Sequence, residues 1–309
     1  MTEITTNPDK SRAMDALERA AESAERGVSG RPVVLVSPAD LAELASADVR
    51  ARLDRVMMGE HADLGLDSLL ATGVLENILP EVQAMVGFGD GEWRHKDVWK
   101  HTKQVVCQSV PRLEVRWAAL FHDIGKVKTR SIGENGEVHF FGHAEVGARM
   151  FDKLEKRQRY FSSDEALRGS IRFLVLHHLR ASQYDGKWTD SAVRRFAREI
   201  GPALEDLLCL SRADITTKRP EKKRRGVALI DELAERITVL AAEDAKLPPL
   251  PTGLGNEIMK AFGIPPSRKV GDLMRALEAA VEAGEIEARL EPDAYVQFLA
   301  ENKQRFGIE

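Results

Sequence analysis

The sequence predicts an all-α protein with one small β-hairpin and a separate helical unit at its C-terminal end. Two observations carry this. Ala, Leu, Glu and Arg dominate a chain that is 43% hydrophobic, 30% charged and only 6% aromatic, a mixture that favours helices over sheets. Apolar residues recur at three- and four-residue spacing through most of the 309 residues, the period of one buried helix face.

Residues 1–8 are polar and are expected to lack order. Residues 9–26 (DKSRAMDALERAAESAER) read as an amphipathic helix ended by Gly27 and the Gly30–Pro32 break. Ser37-Pro38-Ala39-Asp40 opens another, with proline early as helices tolerate it. Leu, Val and Met spacing to residue 85 predicts two or three core-facing helices. DVWKHTKQVVCQSV and LEVRWAALFHDIGK, within residues 97–126, are two more, separated by Pro111. Asn135-Gly136 followed by VHFF is the one hairpin signal. Helical patterning returns at 144–160, 164–183, 189–200 and 202–219. KLPPL at 246–250 reads as a linker, and residues 253–309 as a last helical unit turned at Gly-Ile-Pro-Pro, 263–266.

The formal net charge of −4 exerts no global pull toward nucleic acid. Cys107 and Cys209 lack CxxC spacing, so no disulfide-linked partner is expected and a reduced, cytoplasmic location is the simplest reading. The N-terminus has no apolar targeting core, and no run approaches the ~18 apolar residues of a membrane span.

Six of eight histidines fall between residues 101 and 178. His101 lies within WKHTKQVV, and His122-Asp123 ends the apolar run WAALFHDIGK. A buried carboxylate costs several kcal/mol unless a partner or metal neutralises it. The bland alternative, a local cap and a satisfied core histidine, is weakened by Ile-Gly-Lys after the dipeptide, His101 before it and Arg212-Ala213-Asp214 after it. His101, His122, Asp123 and Asp214 together form a mixed N/O donor set. It suits one divalent transition ion, Mn, Fe, Co, Ni or Zn, rather than Ca. Such an ion ionises water near neutral pH and neutralises phosphoryl charge.

The order H…HD…D resembles the signature of the HD-domain metal-dependent phosphohydrolase superfamily, whose fold is a helical bundle. Five longer blocks are similar to the C-terminal HD and helical body portion of bacterial CCA-adding tRNA nucleotidyltransferases. They are LATGVLENILPEV (70–82), ALFHDIGKVKTR (119–130), GEVHFFGHAEVGA (136–148), FLVLHHLR (173–180) and IMKAFGIPPSRKVGDLMRALEAAVEAGEI (258–286). That family carries an N-terminal head with a Gly-Gly nucleotide motif and paired catalytic carboxylates. Residues 1–45 are too short for one, and no GG…RD or DxD motif occurs elsewhere, so nucleotide addition is not expected. The resemblance implies three parts: an N-terminal extension with one helix (1–45), an HD phosphohydrolase domain with N-terminal helices (46–247) and a body-like helical subdomain (248–309). It implies an EC 3.1 hydrolase acting on nucleotide or RNA-end phosphates, tRNA among them, as 2′-phosphomonoesters or 2′,3′-cyclic phosphodiesters.

His143, His177 and His178 occupy places where two-metal HD enzymes hold a second ion; the count, one ion or two, stays open. One of the His177–His178 pair is the expected ligand, and helical phase cannot choose, since neighbours lie about 100° apart. His139 is assigned to the hairpin. Lys126 is a candidate catalytic and phosphate-binding cation, with a helix-end cation as its alternative, and Arg180 is a second phosphate candidate. The basic run Lys218–Arg225 could touch an RNA backbone. Trp93, Trp99, Trp117 and Trp188 read as core or rim aromatics. Two rival functions remain: an RNA-binding module with a structural metal site, and an HD nucleotidase acting on free nucleotides.

Overall fold

The computed structural model describes residues 8–29, 33–42, 44–89, 97–246 and 248–308. The expectations for residues 1–7, the 30–32 break and Trp93 lie outside these. The fold is all-α, with one two-stranded sheet among the described residues.

The chain runs through α1 (Pro8–Arg26), α2 (Pro38–Ala42), α3 (Ser46–Met58), α4 (Ala62–Ala71), α5 (Val74–Ile78) and α6 (Pro80–Gln83). Then follow α7 (Val98–Gln108), α8 (Leu113–Phe121), α9 (Lys126–Thr129), β1 (Ser131–Ile132) and β2 (Val138–His139). After the hairpin come α10 (His143–Gln158), α11 (Glu165–His177), α12 (Asp190–Ile200), α13 (Leu204–Ala213) and α14 (Pro220–Lys246). The last are α15 (Leu254–Phe262), α16 (Arg268–Glu282), α17 (Pro292–Glu301) and α18 (Lys303–Phe306). No helix among the described residues is long and apolar enough to cross a membrane.

Capping residues set several of these starts. Ser37 and Asp40 exchange reciprocal bonds at α2, Ser37 N donating to Asp40 Oδ2 (2.8 Å) and Asp40 N to Ser37 Oγ (3.3 Å). Asp97, Asp164 and Thr189 accept from the third residue onward at α7, α11 and α12. The hairpin pairs Ser131 with His139 and Ile132 with Val138. Gly136 supplies the positive φ of its turn. Phe140 and Phe141 lie beyond the strand.

Several expected helices have different limits. The described residues from Pro38 to residue 85 contain five helices, α2–α6, and Gly73 (φ 76°) and Pro80 mark two of the breaks. The expected helix at 164–183 ends at His177, with a 3₁₀ turn at Ala181–Gln183, and that at 202–219 ends at Ala213. The 27-residue α14 was not foreseen; its apolar stripe was masked by the charged residues that open it.

The chain divides into two compact units, residues 1–237 and 238–309, the division falling within α14. In the first, α1 packs on α3 and α4, and α8 packs against α3, α7, α11 and α13. Every α8 residue from Val115 to Phe121 is buried, so this helix is apolar around its circumference, as a central helix must be. The one charge in that buried stretch, Arg116, donates to the carbonyls of Met57, Gly59 and Ser109. Trp117 stacks on Phe121 and meets Phe161 edge-on, and its Nε1 donates to Asp54 (2.7 Å). The second unit has its own core of Leu250, Leu254, Ile258, Leu273, Leu277, Tyr295, Leu299 and Ile308. There Tyr295 Oη donates to the Glu287 carbonyl (2.8 Å).

Candidate metal centre

Helix ends converge on one point within the first unit. His122 and Asp123 follow the last residue of α8, His143 begins α10, His178 follows α11 and Asp214 follows α13. His101 reaches the same point from within α7. His122, Asp123 and His178 are almost fully buried, and Asp214 is the most open of the group, with 29% of its side chain exposed.

One set of donors comprises His101, His122, Asp123 and Asp214. His101 Nε2 lies 3.3 Å from His122 Nε2 and 3.0 Å from Asp214 Oδ1. Asp123 Oδ2 lies 3.2 Å from His122 Nε2 and 3.5 Å from His101 Nε2, and Asp214 Oδ1 is 3.6 Å from His122 Nε2. The other set shares Asp123. Its Oδ1 lies 3.5 Å from His143 Nε2, which is 3.1 Å from His178 Nε2. Two ligands ~2.1 Å from one ion, at octahedral to tetrahedral angles, stand roughly 3.0–3.4 Å apart. The observed spacings fall at or slightly beyond that range.

Three rings are oriented by the same device. His122, His143 and His178 each donate Nδ1–H, at 2.8 Å, to the carbonyl three residues earlier: Ala119, Phe140 and Val175. A carbonyl only accepts, so each Nδ1 carries a proton and each ring turns its Nε2 into the cluster. His101 Nδ1 is held by Thr216 Oγ1 (2.8 Å).

The electrostatics fit a cation. Burial holds His143 below its ordinary value, and burial with the neighbouring His122 takes His178 to about 4. With each Nδ1–H given to a carbonyl, the two Nε2 atoms face each other across 3.1 Å, and burial disfavours a charge on either ring. Asp123 Oδ1, also aimed there, is buried without a hydrogen-bond partner, an arrangement costly without a cation. Burial pushes the Asp123 carboxyl up, but His122, Lys126 and His101 outweigh it and hold it well below the usual range. Asp214 is likewise raised by burial yet brought to about 2 by His101 and His122. Burial disfavours charge on His122, and the two carboxylates reverse this. They thus draw in positive charge that a divalent ion would supply. His101, His122 and Asp123 form one group able to hold a metal ion, and Asp123, His143 and His178 another.

The remaining sequence candidates separate. His177 packs on Phe173 (4.3 Å between ring centroids), away from its neighbour's cluster. His139 stacks on Phe141 within the hairpin. Lys126 Nζ lies 2.6 Å from Asp123 Oδ2, so it reaches the centre through that carboxylate. Arg180 is engaged elsewhere: it pairs with Glu199 (2.5 Å) and lies over Phe196, both on α12. In the basic run, Lys223 donates to Gln108 and Arg224 pairs with Glu221. Trp99 and Trp117 are buried and Trp188 is half-buried. Cys107 and Cys209 are free thiols. Thr216 and the three carbonyls were not anticipated; the i−3 spacing of Ala119, Phe140 and Val175 before a histidine was the available signal.

The family profile described as HD domain matches residues 96–219. The A-adding tRNA nucleotidyltransferase of Deinococcus radiodurans is 32% identical over 260 residues, 82% of this chain and 58% of that protein. The CC-adding tRNA nucleotidyltransferase of Thermus thermophilus is 29% identical over 256 residues, 81% and 56% respectively. The multifunctional CCA protein of Acinetobacter baumannii is 30% identical over 149 residues, 47% and 35%. The chain thus spans little more than half the length of the first two. Residues 96–219 are an HD domain, of the metal-dependent phosphohydrolase superfamily, in a chain that resembles tRNA nucleotidyltransferases over their C-terminal portion.

Proposed function

We propose that this chain is a metal-dependent phosphohydrolase acting on nucleotide or RNA-end phosphates, as 2′-phosphomonoesters or 2′,3′-cyclic phosphodiesters. The observation that carries the reading is the pair of imidazole Nε2 atoms, on His143 and His178, facing each other across 3.1 Å beside an unpartnered buried oxygen of Asp123. His101, His122, Asp123 and Asp214 would hold one ion, and Asp123, His143 and His178 a second. The mixed N/O donors suit Mn, Fe, Co, Ni or Zn. When bound, the metal supplies charge neutralisation for a phosphoryl group and acidifies water.

The chain's own residues prepare that chemistry. The Ala119, Phe140 and Val175 carbonyls and Thr216 fix the imidazoles, so little reorganisation is needed on binding. Lys126 keeps Asp123 ionised, and its ammonium carries two further N–H donors for a phosphoryl oxygen. Asp214, the most open ligand, marks the side from which substrate enters. The similarity to tRNA-modifying relatives supports an RNA or nucleotide substrate, and a cytoplasmic location accords with that substrate.

The test is phosphate release from 2′-AMP, and opening of 2′,3′-cyclic AMP, with Mn²⁺, Ni²⁺ or Co²⁺ added. Asp123→Ala, which removes the carboxylate common to both sets, is expected to abolish turnover while the far-UV circular dichroism stays helical. Undiminished turnover in that variant refutes the assignment. A second reading, an RNA-binding module with a structural metal, draws on the exposed Lys218, Arg219, Lys222 and Arg225. A mobility shift with tRNA, without metal-stimulated hydrolysis, would favour it.

A further inference from the structure

Beside Asp214 lies a cavity of about 330 Å³, within the size range of small-molecule sites. It is formed by the segment after α13, the first turns of α14 and the 3₁₀ turn at Ala181–Gln183. It shares two residues with the metal centre: Asp214, and Thr216, which holds the His101 ring. A cavity of about 380 Å³ between α1 and α4 is lined by none of the cluster residues.

The walls differ in chemistry. Ile215, Leu229 and Ile230 form an apolar side, and Gly226 leaves it open where a side chain would stand. A Cβ at Gly226 would lie 3.2 Å from Ile215 Cδ1, inside ordinary contact distance. Ser182 and Ser211 also line the cavity, and each spends its hydroxyl proton on a backbone carbonyl, Leu179 and Leu207 (2.8 Å each). Their lone pairs remain, so these hydroxyls offer acceptors. Lys222, exposed at the mouth, has no ion-pair partner among the described residues. An apolar slot with acceptors, one wall of which is a metal-ligand carboxylate, complements a flat ring bearing N–H or O–H donors joined to a phosphate.

We propose that this cavity is the subsite for the nucleoside portion of the substrate, holding base and ribose while the phosphate lies at the metal centre. The proposal rests on the phosphohydrolase reading for its phosphate end only. Leu229→Trp, and independently Gly226→Leu, would fill the slot without touching a metal ligand. The ratio of kcat/KM for 2′-AMP to that for p-nitrophenyl phosphate, which has no nucleoside, is expected to fall on the order of tenfold or more. If Leu229→Trp fails to fold, Gly226→Leu decides.

A second readout needs neither metal nor turnover. Adenosine, which lacks phosphate, is expected to give a saturation-transfer NMR signal with the metal-stripped full chain, and that signal should be lost in both variants. An unchanged substrate ratio in a folded variant overturns the subsite, as does an adenosine signal that is absent or survives both substitutions. Adenosine binding that the variants abolish, in a protein that hydrolyses neither ester, leaves the subsite standing and overturns the phosphohydrolase reading instead.

Discussion

Replacing Gly125 with alanine puts a methyl group where another backbone already lies. Gly125 has helical φ and ψ (−68°, −22°), so alanine is conformationally acceptable there and the whole effect comes from contact. The added Cβ would stand 2.0 Å from the His143 carbonyl oxygen and 2.7 Å from Gly147 N, against a practical minimum near 3.0 Å. The obstacle is the backbone of α10, which cannot rotate aside, so the first turn of that helix must retreat by about 1 Å. Overpacking of this kind costs roughly 1–3 kcal/mol. The gain from a stiffer unfolded chain, at most about 1 kcal/mol, does not offset its upper range. At roughly 2–4 °C per kcal/mol for a unit of this size, Gly125→Ala is expected to melt several degrees lower by differential scanning calorimetry. Because the displaced turn carries His143, metal content measured by plasma mass spectrometry should also fall, through loss at the Asp123–His143–His178 set. A variant with wild-type melting and full metal content would refute this account of the glycine.

Two further substitutions test the arrangement. His178→Ala should lower the bound metal by one ion per chain and reduce turnover, whereas His177→Ala, whose ring packs on Phe173, should do neither; equal effects would show that the adjacent rings are not distinguished. Asp54→Ala should destabilise the chain by about 1–3 kcal/mol in urea titration, because the buried Trp117 indole N–H loses its acceptor. Asp54→Asn, which keeps an acceptor oxygen, should cost less.

The helical class and the hairpin were legible because their signals are local: spacing, caps and Asn135-Gly136. His101, His122, Asp123 and Asp214, which meet at the centre, were legible as a pattern along the chain, although nothing in their spacing requires these distant segments to meet. The choice between His177 and His178 was not, because α11 stops between them and that termination is set by packing rather than by a proline or glycine. Arg180, a phosphate candidate from its place after the histidines, pairs with Glu199 on α12, a partner nineteen residues away that the local sequence does not reveal. Thr216 is invisible in sequence for the same reason: its role exists only once α7 and the segment after α13 are side by side.

The central claim is that distant helix ends share bound cations through Asp123. Crystals grown with Mn²⁺ and measured for anomalous scattering test it most directly. The account predicts one peak bounded by His101, His122, Asp123 and Asp214, and a second bounded by Asp123, His143 and His178. Anomalous peaks lying only elsewhere on the protein, with both donor sets closed by protons or ordered water, would contradict it.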